Sequence, residues 1–130
     1  MIKGIFLIAA GVFGFLSILL AALAAHLYAS RLGVSQLADL GLAIALQLFH
    51  SIVLLALAAF NVQRIKLDIL FNIAGIACIV GILLFSISIE LANMFSLTHL
   101  KILAPVGGLA FMIAWVFIFA AGVQYALQSK

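Results

Sequence analysis

Charge is what this chain has least of: Asp, Glu, Lys and Arg make up 7% of its 130 residues, against 69% apolar. A water-soluble domain is about half apolar and roughly a quarter charged, so folding alone cannot hide this much apolar surface from water. The mean hydropathy of +1.50 agrees, and lipid is the expected solvent. Cysteine is nearly absent as well. Cys78 stands alone inside an apolar run, which excludes an intrachain disulfide and leaves it the role of a small packing residue. The net charge of +3 and pI near 9.4 do not indicate nucleic acid. Lys3, Arg31, Arg64, Lys66, Lys101 and Lys130 are scattered and form no cluster able to follow a phosphate backbone. They read instead as headgroup anchors at the ends of spans.

What is present is long apolar runs. A hydrocarbon core of about 30 Å needs about 20 helical residues to cross it, and that ruler fits four times, over about residues 4–25, 40–60, 69–91 and 102–126. Without water, every backbone polar group must be satisfied inside its own segment, so uninterrupted runs of this length are helices and a β-barrel is excluded. The expected fold is all-α, a single membrane domain forming a four-helix transmembrane bundle. The opening run, with Lys3 before it and Ala22-Leu23-Ala24 near its end, is longer than the roughly 7–15 apolar residues of a signal peptide and reads as a retained span.

Among the connections, Ser30 to Asp39 is the longest, and Ser35 is placed to cap a helix that runs directly into the second span. Pro105 falls in the first turn of span four, where the missing N–H costs little. Lys3, Arg64, Lys66 and Lys130 share one side and Arg31 and Lys101 the other, which places both termini in the cytoplasm of a multi-pass membrane protein.

Lipid tails are as apolar as leucine, so helix contacts show as lines of small or polar residues. Span one carries Ala10, Gly14, Ser17, Ala21 and Ala24 on one face, span two Gln47, His50, Ser51, Leu54, Ala58 and Asn61, and span three Ala74, Cys78, Gly81 and Ser88. Gly107 and Gly108 can serve the same purpose at the start of span four.

Ionisable residues inside a membrane are expensive and each is a candidate for function. His50 lies midway along span two, one turn after Gln47, and either bonds a neighbouring group to hold the bundle in register or relays a proton or binds a metal. Glu90, near the outer end of span three with Ser86 and Asn93 on its face, either forms an ion pair at the interface with Lys101, Arg31 or His99 or is a protonatable carboxyl in an ion path. By helical angle its face is opposite the Gly81 and Ser88 line. His26 and His99 lie at the outer ends of spans one and four, so His26, Gln47, His50, Glu90, His99 and Lys101 form a candidate polar cluster in the outer half. Its residue types suit a transition metal if they converge.

Motifs for nucleotide hydrolysis, zinc proteolysis, serine hydrolysis and covalent haem attachment are all absent, which argues against an enzyme and against a resident cofactor. Four segments carry a family resemblance. Ala25-His26-Leu27, Phe49-His50-Ser51-Ile52, Phe85-Ser86-Ile87-Ser88 and Ala104-Pro105-Val106-Gly107-Gly108-Leu109-Ala110-Phe111 resemble, in order, the A-H-G-L, Y-H-A-L, F-S-G-S and T-P-I-G-G-L-A-F of the YgdD/YwdK-type family of small four-span membrane proteins. The chain departs from that pattern at Tyr28, at Ile87 for glycine, at Glu90 for tyrosine and at Ala104 for threonine. The resemblance implies a four-helix inner-membrane protein and brings no activity with it. The expected function is a structural or accessory component that packs as a homo-oligomer or with a larger membrane complex. The alternative is a small transporter, conduction unit or metal-binding protein using His50, Glu90 and His26.

Overall fold

The computed structural model of the chain describes residues 2–60 and 65–128. Asn61, Arg64 and Lys130, on which the charge-based topology and one packing line draw, lie outside the described residues. Among those described there is no strand, and four helices are long and apolar enough to cross a membrane. Helix α1 covers Ile2–Leu23 and ends in a π-helical turn, Ala24–Tyr28. Helix α2 is Val34–Ala59. Helix α3 begins as Ile65–Gly81, passes through a π-helical stretch, Ile82–Ile87, and finishes as Ser88–Met94. A 3₁₀ segment, Thr98–Leu103, leads into α4, Ala104–Gln128.

The first three helices are longer than the apolar runs that mark them, because a helix goes on satisfying its own backbone after it leaves hydrocarbon, while α4 matches its run in length, displaced by two residues. The 26 residues of α2 span about 39 Å at 1.5 Å per residue, longer than the apolar slab, so the helix tilts or reaches into the headgroups. Its start corrects one expectation. Gly33, extended at φ −71° and ψ 164°, is the residue before the helix, and its N–H donates to Gln36 Oε1 at 3.0 Å. Ser35 sits inside the first turn and does not cap. In the turn before it, the N–H groups of Arg31 and Leu32 both donate to Tyr28 O at 3.0 Å.

The helices pair as α1 with α2 and α3 with α4, and α2 and α3 join the two pairs. In their most apolar stretches 39% of α2 and α3 is buried but only 22% of α1 and α4, so the first two are the axis and the others flank them. The end of the bundle that holds Ile2 and the middle are filled by Phe6, Phe13, Leu54, Leu57, Ala74, Cys78, Ile82, Phe111 and Ala114. Glycines set how closely the helices approach. A methyl on Gly75 would strike the Phe6 ring of α1, and one on Gly81 the Phe111 ring of α4. At Gly107 the obstacle is main chain, that of Leu84 and Phe85 in the π-helical stretch of α3, whereas a methyl on Gly108 would rest 3.7 Å from the Phe85 ring. The small-residue line expected along α1 packs only in part. Ala10 and Ser17 are buried and Gly14 faces Ser51, but Ala21 is exposed, because α1 and α2 leave an open groove between them at that level.

Gly107→Ala therefore forces α3 and α4 apart and lowers stability by about 1–3 kcal/mol, the usual cost of overpacking. Gly108→Ala changes it by less than about 0.5 kcal/mol. Unfolding of the purified variants in mixed detergent micelles checks this, and equal losses at the two glycines would contradict the packing described.

Candidate functional site

The polar residues of the bundle gather on α2 and α3, away from the apolar inner core. On α2, a hydroxyl or amide in hydrocarbon bonds first to what is nearest, the carbonyl one turn back or the backbone of the helix beside it. Ser51 Oγ accordingly donates to Gln47 O at 2.6 Å. Gln47, fully buried, sends Nε2 across to Phe13 O of α1 at 3.2 Å, and the same carbonyl accepts Ser17 Oγ at 2.7 Å. His50 points to the other side. Its Nδ1 meets Leu46 O at 2.8 Å, which requires the proton on Nδ1, and its ring lies flat on Phe111 of α4 with centroids 3.7 Å apart. His50 and Gln47 thus tie α2 to different neighbours, and Gln47 Oε1 and His50 Nε2 are left buried without a hydrogen bond among the described residues.

On α3 the π-helical stretch loosens the backbone ladder. Ser88 compensates, its Oγ lying 2.6 Å from Leu84 O and 3.0 Å from Phe85 O, within reach of the carbonyls of that stretch. The stretch also changes what faces inward. Gly81 and Glu90, expected on opposite sides, are both buried, because the π-helical stretch between them holds an extra residue and shifts their phase, and Ser88 is buried too because the segment Ser88–Met94 packs on more than one side, against α2 and the 3₁₀ segment. Ser86, Glu90 and Asn93 follow one another at spacings of four and three on one buried face, with Glu90 only 5% exposed. None of Ser86 Oγ, Glu90 Oε1 and Asn93 Nδ2 has a hydrogen-bond partner among the described residues.

The expected ion pair of Glu90 does not form. Lys101 instead reaches Asp39 Oδ2 at 2.8 Å, joining the start of α2 to the α3–α4 connection. Asp39 went unconsidered as a partner because it falls one residue before the apolar run of span two, yet it is one of only three acids and lies on the same side of the bilayer as Lys101. At the other end Lys3 Nζ donates to Phe60 O at 2.7 Å and lies 3.5 Å from Asp68 Oδ1, while Asn72 Nδ2 donates to Asp68 Oδ2 at 3.2 Å. His26 and His99 are exposed. The proposed convergence with His50 and Glu90 therefore fails as a metal site: among the described residues no group of three or more His, Cys, Asp or Glu comes together to hold one. The helix-packing residues Gly81, Ser88 and Gly107 are buried at the α3–α4 contact or beside it, Gly108 is half-buried against Phe85, and Gly14 and Ser17 lie where α1 meets α2. The stacking role of Phe111 was missed, since nothing in an apolar run singles out one phenylalanine.

Comparison with known proteins agrees with this architecture. A family model described as protein of unknown function (DUF423) matches residues 20–108. The inner membrane protein YgdD of Escherichia coli K12 is 29% identical over 121 residues, covering 91% of this chain and 88% of that protein. The membrane protein YwdK of Bacillus subtilis is 38% identical over 52 residues, 40% of this chain and 42% of that protein. No solved structure matches the chain. With a match reaching from α1 into α4 and four helices able to cross a bilayer, this inner-membrane protein belongs to the DUF423 family.

Proposed function

We propose that the protein is a non-enzymatic accessory component of the inner membrane that acts by packing laterally, its first partner being a second copy of itself. The observation that carries this is the outer face of α1 and α2. From Lys3 and Gly4 at the inner end, past Gly11 and Gly14, to Ala21, Ala25 and Gly41 at the outer end, these helices leave a run of open hollows, about 510 Å³ in the largest. Nothing stands within 4 Å of a methyl built on Gly4, Gly11 or Gly41. Beside the hollows stand bulky side chains, Ile8 and Phe15, each 69% exposed.

Knobs and hollows side by side make the face self-complementary about an axis along the membrane normal, the arrangement two identical parallel copies adopt. Close approach at small residues is what drives helix association where lipid gives leucine no reason to hide. Both termini face the cytoplasm in this reading, with Lys3 on the inner side and the Asp39–Lys101 pair on the outer.

Ala21→Cys, introduced with Cys78→Ala, should give a disulfide-linked dimer on oxidation in membranes, while Met112→Cys on the exposed side of α4 gives none. Gly11→Leu fills a hollow and shifts the population towards monomer at least tenfold in mild detergent. Cross-linking that is equal at the two cysteine positions, or a wild-type protein recovered only as monomer, would sink the proposal.

A reporter that is active only in the cytoplasm should work when fused to either end of the full chain. Activity of a periplasm-dependent reporter at those same ends would reverse the orientation.

A further inference from the structure

We propose that the outer half of α3 holds a binding site for a small monovalent cation, with Glu90 as its one charged ligand and Ser86 and Asn93 as neutral ligands. The site is independent of the lateral packing face, which lies on α1 and α2, and sits inside the bundle on α3.

The first argument is an unbalanced charge. Glu90 is buried, and its carboxyl can stay there only neutralised by a proton or met by a cation or by donors. No described base does so. Lys101 is held by Asp39 and Lys3 by Asp68 and Phe60 O. Arg31, His26 and His99 are exposed and make no bond to it. The buried residues of the outer half of α2, Leu40, Ala43 and Ile44, are apolar and have no donor to offer.

The second argument is the company Glu90 keeps. Asn93 lies one α-helical turn after it, its Cβ about 5–6 Å from that of Glu90 by helical spacing, Ser86 lies one wider turn before it in the π-helical stretch, and both are buried with polar atoms unused. Rotating the Asn93 amide by half a turn presents its oxygen in place of Nδ2, an assignment that hydrogen bonding alone decides. Three oxygen ligands on one face, with a single negative charge among them, match a hard cation of one charge better than a divalent or a soft transition ion. A proton would neutralise Glu90 but leave the Ser86 and Asn93 atoms beside it unused, whereas one cation meets all three groups.

The third argument is access. Glu90 lies four residues before Met94, the end of α3, about 6 Å of helix from the outer surface. An ion can arrive from that side without crossing the apolar core. Both the π-helical stretch and Ser88–Met94 pack against α2, so occupancy would pull α3 onto the axis of the bundle.

The test measures thermal unfolding of the purified full chain in NaCl, KCl and CaCl₂ against choline chloride at matched ionic strength. A ligand bound only by the folded state raises stability with its logarithmic concentration, by about 1.4 kcal/mol for each tenfold above the dissociation constant. Wild type should shift upwards with Na⁺ or K⁺. Glu90→Gln, nearly the same shape, should lose the shift altogether, and Ser86→Ala and Asn93→Leu should weaken the apparent affinity at least tenfold. Asp39→Asn, which breaks the surface pair, should lower the starting midpoint and keep the cation response. Equal midpoints for wild type in sodium, potassium and choline overturn the proposal, as does a response seen with calcium alone or one that survives in Glu90→Gln.

Discussion

The constraint on which this structure depends is that hydrocarbon gives apolar side chains no reason to leave it while penalising every polar group left without a partner. Burying leucine, which drives the folding of a soluble domain, is worth almost nothing between two helices already surrounded by lipid. What remains is close packing and hydrogen bonding. The bundle uses both in separate places. Gly75, Gly81 and Gly107 let aromatic rings or main chain come up against their Cα atoms, and Ser17, Gln47 and Ser51 spend their polar atoms on nearby carbonyls.

From this follows a division of levels. The interior at the end that holds Ile2 and at the middle is an apolar jigsaw of rings and small residues, with Phe111 meeting Gly81, His50 and Phe85 at once. The interior at the opposite end, around Glu90, is polar and incompletely bonded among the described residues. The ends are fastened by ion pairs that cross between elements distant in sequence, Lys3 with Asp68 and Lys101 with Asp39. Such pairs are half-exposed and each is worth little in stability, but they fix which helix ends adjoin. The chain spends two of its three acids on that task and leaves the third, Glu90, inside.

The number and order of spans were legible because their signal is cumulative: about 20 apolar residues in a row have one solution in a bilayer. Positions within that frame were less so. The apolar ruler placed the start of span two at Leu40 and so set aside Asp39, the residue that takes Lys101. Span one displayed a continuous line of small residues, yet small residues mark either a contact or a vacancy, and at Ala21 the structure has the vacancy. The burial of Glu90 on the same helix as Gly81, across the stretch that separates them, was illegible for a different reason. Helical angles computed at 100° per residue assume an unbroken α-helix, and no residue type announces a π-helical stretch.

That stretch gives α3 a sensitivity to chain length that composition does not show. Ile82–Ile87 accommodates more residues per turn than the helix on either side. Removing a single residue from it would let the α-helical ladder close through, and each residue in such a ladder counts for about 100° of rotation. The extra residue held in the wide turn is that same step, so Ser88–Met94 would keep its facing with Glu90 still inside, while Ser88 would lose the loosened carbonyls it now meets. A deletion in the α-helical turns before Gly81 has nothing to absorb it and would swing Glu90 towards lipid, so the spacing between Gly81 and Glu90 is a phase whose slack is confined to the π-helical stretch.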